Sequence, residues 1–314
     1  MATTENTYYQ SPYQLIMEIS PSSILFLDIE TVPAIYPYEN LDQKTRDLWH
    51  KKVRNRKNFD PVSDYSGSAV YPEFGKVVVI SLGFFTKQED DNSHSFRIIS
   101  FGSDDESLLL TVFKKIIEYG AFGNLWSKWE KNPKKNLVRD ALYFMGHNIR
   151  EFDIPFLARR MIINNIQLPA PLRLFGFKNW EVLHLIDTLE LWKFGDQRSY
   201  ISLELLASIL GIPSPKEDLS GKEVYKYYYG IYYTLDGKEI IVGHTKEDLK
   251  AILTYCQGDV ITVAQIFRRL RGERLLEKDR IIPSGWISAI SNDEELAQCQ
   301  VEQLGDGLFW LNPK

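Results

Sequence analysis

Three D-x-E tripeptides occur in the 314-residue sequence: Asp28/Glu30, Asp104/Glu106 and Asp293/Glu295. On a strand, residues two apart share a face, so such a pair would project two carboxylates side by side. Carboxylates that close repel and raise each other's pKa unless a cation lies between them. Only Asp28-Ile29-Glu30-Thr31 continues an apolar strand, Ser23 to Asp28. Metal binding is the chemistry this pair suits, and a strand end entering solvent fits the same residues equally. Asp104/Glu106 belongs to Ser103-Asp104-Asp105-Glu106, a capping box for a helix over Leu108–Tyr119. Asp293/Glu295 sits in a polar tail.

Two further clusters carry acids. In Gly146-His147-Asn148-Ile149-Arg150-Glu151-Phe152-Asp153-Ile154-Pro155, Asp153 opens a helix, where the dipole and free N–H groups favour a negative charge. An ordinary N-terminal cap explains it as well, and His147 and Phe152 also suit packing at the core edge. Tyr255 and Asp259 stand at i and i+4 on a helix running from Thr245 to Leu270, one above the other. Gly258 inside that helix costs about 1 kcal/mol relative to Ala, a cost that close approach to neighbouring backbone would justify. Tyr232 and Asp236 repeat the Y-x-x-x-D spacing, but there the Asp is half of an Asp-Gly hairpin turn. Each cluster alone suits a structural role. Three in this order could converge.

The elements that would bring them together follow from hydrophobic periodicity. Strands are predicted at Lys76–Phe85, Ser95–Phe101, Ala141–Gly146 and Val182–Leu189. Helices are predicted at Ile154–Asn164 and at Ser202–Leu210, the latter stopped by Gly211-Ile212-Pro213. Tyr227–Leu235 and Lys238–Val242 flank the Asp236-Gly237 turn. This order predicts an α/β fold, a mixed sheet with helices on both faces. Residues 1–21 read as a loosely held arm, about 33–74 as an insertion, and 271–314 as an extension without periodicity or assignable role.

Asp28-Ile29-Glu30-Thr31, then Asn148-x-x-x-Phe152-Asp153-x-Pro155-Phe156-Leu157, then Tyr255-x-x-x-Asp259 together resemble the three motifs of the DEDDy superfamily of 3′–5′ exonucleases. The likeness is nearest to stand-alone bacterial proteins related to the exonuclease domain of family B DNA polymerases, and it spans about residues 22–270. The resemblance implies an RNase H-like fold with a five-stranded mixed sheet flanked by helices, and Asp28 and Glu30 on its central strand. It implies two divalent cations, Mg²⁺ or Mn²⁺, held by Asp28, Glu30, Asp153 and Asp259. Tyr255 would orient the attacking water, and Thr31, Asn148 and Phe152 would contact the terminal nucleotides. The implied substrate is single-stranded nucleic acid, DNA in preference and RNA as the alternative, with nucleoside 5′-monophosphates released. A nucleic-acid-binding protein that kept the fold and lost the activity is the rival from another class; no acid is missing. Asp187 is a fifth acid to which the family pattern gives no metal role.

Composition bounds these expectations. With 44% hydrophobic and 13% aromatic residues the chain can bury a core, so disorder throughout is excluded. No apolar run reaches the length of a membrane span, and no secretory signal is visible. Two cysteines, Cys256 and Cys299, form no disulfide framework, which points to a reducing, cytoplasmic setting. The formal charge of −5 argues against a coat for nucleic acid. Four proposed ligands contribute to that charge, and two bound cations would offset it. Leu41 to Lys57 holds seven Lys/Arg against two Asp around Trp49. It suits a stacking platform for single strands or, equally, a solvated helical face. Lys/Trp-rich Trp126 to Lys135 allows the same two readings.

Overall fold

The computed structural model describes residues 16–87, 94–118, 142–178, 181–196, 200–213, 219–285 and 299–313. Strand β1, Ile24–Pro33, is buried along its length except at Asp28. A run apolar on both faces belongs in the middle of a covered sheet, and there it lies. β1 pairs antiparallel with β2 (Gly75–Lys87), which pairs antiparallel with β3 (His94–Ser103). On its other side β1 pairs parallel with β4 (Tyr143–Gly146), and β4 with β5 (Leu185–Asp187). A separate two-stranded hairpin, β6 (Ile231–Tyr233) and β7 (Glu239–Ile241), turns at Asp236-Gly237, with Gly237 at φ 79°.

The main sheet has eight strands, not five. The additional three come from the C-terminal residues. β8 (Ile281–Pro283) and β10 (Leu308–Pro313) both run parallel to β3, along different stretches of it, and β9 (Cys299–Gly305) closes the edge beside β10. Leu308 to Leu311 is an apolar run of four, too short to show a period, and only its buried position beside β3 reveals it as a strand.

Helices cover both faces. On one side α2 (Glu106–Glu118) and α3 (Asp153–Ile163) pack Leu109, Phe113, Ile154 and Leu157 against Leu25, Leu27 and Ile29 of β1. On the other, the 25-residue helix α7 (Lys246–Leu270) lays Val260, Val263 and Phe267 on Phe26, Phe85 and Phe96. At Gly83 of β2 an added Cβ would come within 2.2 Å of the Phe96 ring and 2.9 Å of Val260. The glycine is what lets α7 lie this close. Alternation along β1 therefore sends Ile24 and Phe26, and with them Asp28 and Glu30, toward α7. Ile16 and Ile19, expected in the loose arm, are buried in the same cluster, and Arg271 Nη1 donates to both their carbonyls. Residues 1–15 lie outside the described residues, as do Trp126–Lys135 and Asp293/Glu295.

Three short helices bridge the remaining chain: α4 (Thr188–Lys193), α5 (Leu203–Ile209) and α6 (Val224–Tyr229). Two expectations change here. Tyr227–Tyr229 completes α6 and the strand begins only at Ile231, because Gly230 (φ 60°) ends the helix where an added Cβ would strike the Gly243 carbonyl. The predicted strand Val182–Leu189 is strand only at Leu185–Asp187; Asp187 caps α4 by accepting from the Leu189 N–H. In the insertion, α1 (Gln43–Val53) turns Trp49 fully inward, against Phe59, Tyr65, Tyr71 and Phe74. Its indole N–H donates to the Pro61 carbonyl at 2.7 Å. Trp49 is thus core and no stacking platform, while Lys44, Lys51, Lys52, Arg54, Arg56 and Lys57 stay in solvent.

Candidate active site

Asp28 and Glu30 project from the middle of the sheet onto the α7 face. The β1–β2 register slips between Glu30 and Thr31, and such a bulge re-aims side chains beside it. Glu30 is 7% exposed and Thr31, just past the slip, is also buried. Across from the acids, α7 presents Cys256. Its Sγ lies 3.3 Å from Asp28 Oδ2 and 3.4 Å from the Asp28 carbonyl oxygen. Carboxylate oxygens of Asp28 and Glu30 and the Cys256 sulfur all lie within 4.8 Å of one another.

Asp153 arrives from the next element. β4 ends at Gly146, where an added Cβ would lie 2.9 Å from the Leu27 carbonyl, and the chain turns sharply through Asn148 at φ 62°. Asp187 holds that turn: its carboxylate accepts from the Asn148 and Arg150 amides and from Leu189. The fifth acid is therefore a loop anchor and helix cap. The Asn148 carbonyl accepts from the Phe152 N–H, and α3 starts at Asp153, 2% exposed. Its Oδ1 accepts from the Ile29 N–H at 3.2 Å, fixing the acid between Asp28 and Glu30 on β1. His147 contacts the Thr188 hydroxyl through Nδ1 and the Ile201 carbonyl through Nε2, both at 2.9 Å. Phe152 packs on Phe156, with ring centroids 5.4 Å apart, at the rim of the core.

A buried brace holds the far half of α3. Arg160 forms an ion pair with Glu106 of α2 and donates to the Pro72 carbonyl, while Glu106 also accepts from the Val77 N–H. Glu106 is thus turned inward; the α2 cap is instead Asp105, which accepts from the Leu108 N–H.

Asp259 and Tyr255 complete the group from α7, one turn apart, with the Tyr255 phenol beside the Asp259 carboxylate. Burial pushes every carboxyl of the set upward. Asp28 and Glu30 rise far above the usual range, first from burial and then from repulsion by Asp153 and Asp259. Asp153 rises to about 8, mainly from burial, with the Ile29 amide opposing, and Asp259 to about 7 from burial. Among the described residues no Lys, Arg or His forms an ion pair with any of the four. Four acids that repel one another and lack a basic partner fit divalent cations, and oxygen donors suit Mg²⁺ or Mn²⁺. Burial and the neighbouring Asp259, Glu30 and Asp28 also push the Tyr255 phenol well above 10.

All four acids and Tyr255 thus gather where β1, α3 and α7 meet. Thr31 follows Glu30 on β1, and Asn148 and Phe152 precede Asp153 in the loop. Cys256 was hidden from sequence reasoning, because in the apolar stripe of α7 it counts as one more core residue. Arg160 and Glu106 were hidden too, since nothing local marks a charge that pairs across 54 positions.

The carboxylates lie over β1, an inner strand of a mixed sheet flanked by helices, the architecture of an RNase H-like, nuclease-type fold. A family model described as RNase_H superfamily matches residues 68–271, and the chain belongs to that superfamily. The matched span contains Asp153, Tyr255 and Asp259; Asp28 and Glu30 precede it. No curated protein matches the sequence. Among the described residues no helix is long and apolar enough to cross a membrane.

Proposed function

We propose that this chain is a metal-dependent 3′–5′ exonuclease that hydrolyses phosphodiesters at the 3′ end of single-stranded DNA and releases nucleoside 5′-monophosphates. One observation carries the reading: Asp28, Glu30, Asp153 and Asp259, from three separate elements, share one site in which Glu30 and Asp153 are buried, and among the described residues none of the four has a basic ion-pair partner. In this proposal those four hold two divalent cations, which when bound supply an activated water and stabilise the leaving oxygen. Tyr255 stays protonated at neutral pH, because its pKa is raised, so it orients the water through its hydroxyl and does not act as a base. Its place beside Asp259, one turn along α7, would bring that water next to a metal ligand.

Asn148 and Thr31, beside Asp153 and Glu30, would contact the terminal nucleotides. Phe152, partly buried at the core rim, would stack on the last base. The Tyr255/Asp259 pair favours end-directed cleavage over internal cutting. The test is cleavage of matched DNA and RNA single strands with Mg²⁺ or Mn²⁺, with the products identified. Nucleoside 5′-monophosphates from DNA are expected. Degradation of RNA alone would move the substrate to RNA, and 3′-monophosphates or internal fragments would overturn the mechanism.

A further inference from the structure

Cys256 is one of two cysteines among the described residues and is completely buried, while Cys299 is partly exposed at the sheet edge. Its sulfur does not face a purely apolar pocket. The thiol donates to Asp28 Oδ2 at 3.3 Å, within the group whose oxygen and sulfur atoms lie within 4.8 Å of one another. Glu30 gives a second, independent sign of a ligand. It is more than nine-tenths buried, is directed into the same group, and has no hydrogen-bond partner among the described residues. Crowded beside the Asp28 carboxylate, this group lacks a charge partner, and a cation at this point would supply one.

We propose that Asp28, Glu30 and Cys256 form a mixed oxygen–sulfur site that captures a thiophilic divalent cation, Zn²⁺ or Cd²⁺. Around a tetrahedral ion with bonds of about 2.0–2.3 Å, neighbouring ligand atoms stand about 3.5 Å apart, close to the Sγ–Oδ2 separation already present. The ion takes the place of the thiol proton that bridges those atoms: the S–H bond breaks, a sulfur–metal bond forms, and one proton leaves to solvent. Hard Mg²⁺ prefers six oxygen donors and leaves the thiol intact, whereas thiolate selects softer ions. The site shares Asp28 and Glu30 with the proposed nuclease centre but needs no nuclease activity to form.

Titration of the metal-free full chain with Co²⁺ and with Cd²⁺, followed by sulfur-to-metal charge-transfer absorbance, tests the site. A band saturating at one equivalent is expected, lost in Cys256→Ser and kept in Cys299→Ser. No band in the wild type, or a band that persists in Cys256→Ser, overturns the proposal. Should Cys256→Ser fail to fold, Glu30→Gln decides, since it keeps both thiols. Cd²⁺ binding weakened roughly tenfold or more is expected there, and unchanged affinity overturns the site. A chain that cuts DNA with Mg²⁺ yet shows no band refutes this site alone; a band without cleavage refutes the nuclease reading alone.

Discussion

Replacing Asp153 by Asn is expected to stabilise the metal-free protein at neutral pH. Asp153 is almost fully buried, and burial, reinforced by Asp187 and Asp259, lifts its carboxyl from 3.8 to about 8. A folded pKa above the unfolded one means that the folded chain holds the extra proton between about pH 4 and 8. Stability is therefore greatest at the acidic end and falls as pH rises through that window. At pH 7 the solution stands about three units above the unfolded carboxyl's pKa, which at about 1.4 kcal/mol per unit amounts to on the order of 4 kcal/mol. Asp28, Glu30 and Asp259 share the same repulsion, so one substitution recovers only part, about 1–3 kcal/mol. Asn keeps the Oδ1 acceptor for the Ile29 N–H, so that hydrogen bond survives. Urea unfolding of chelator-treated wild type and Asp153→Asn at pH 5 and pH 8 measures this. The wild type should lose stability toward pH 8, and the variant should be the more stable protein there with a shallower dependence. Excess Mg²⁺ should narrow or reverse the difference by binding the wild type. A variant less stable than wild type at pH 8, or a wild type that gains stability from pH 5 to 8, would refute the reasoning.

Other substitutions probe the remaining parts. Tyr255→Phe keeps the packing but removes the hydroxyl, and cleavage should slow roughly a hundredfold while cation affinity, measured by calorimetry, holds; an unchanged rate removes the water-positioning role. Glu106→Ala leaves the Arg160 guanidinium buried and unpaired, so denaturant unfolding should show a loss of about 3–5 kcal/mol. A change below about 0.5 kcal/mol would show the brace to be dispensable. Trp49→Ala empties an aromatic cluster and should cost about 3–5 kcal/mol, with single-strand affinity of the folded fraction unaltered; weakened binding would restore the stacking platform.

Patterns local to one element are legible in the sequence. The buried run of β1 announces itself as a continuous apolar stretch, and α7 through the helical period of its stripe. The three acidic motifs were readable because each sits at a fixed place on its element: mid-strand, helix start, helix face. Ser202 and Thr245 cap α5 and α7, each side chain accepting from the backbone N–H of the third residue on, a signal that also lies within one element. Long-range partners were not readable. Cys256 is an apolar-stripe residue until β1 lies beneath it. Trp49 amid basic residues looks exposed until Tyr65 and Phe74 close over it from later in the chain. β8 to β10 lack periodicity because each is short and is stabilised by neighbours distant in sequence, the edge of β3 for β8 and β10 and β10 for β9. The sheet therefore grew from five strands to eight without moving the site, since all three join on the side of β3 away from β4.

The central claim is that the four acids form one metal-dependent, end-directed cleavage centre. A 5′-labelled single-stranded DNA incubated with the full chain and Mg²⁺ or Mn²⁺ tests it most directly. A ladder shortening stepwise from the 3′ end, abolished by EDTA and by Asp28→Ala, is the predicted result. Internal cuts, activity that survives the chelator, or an undiminished ladder in Asp28→Ala would contradict it.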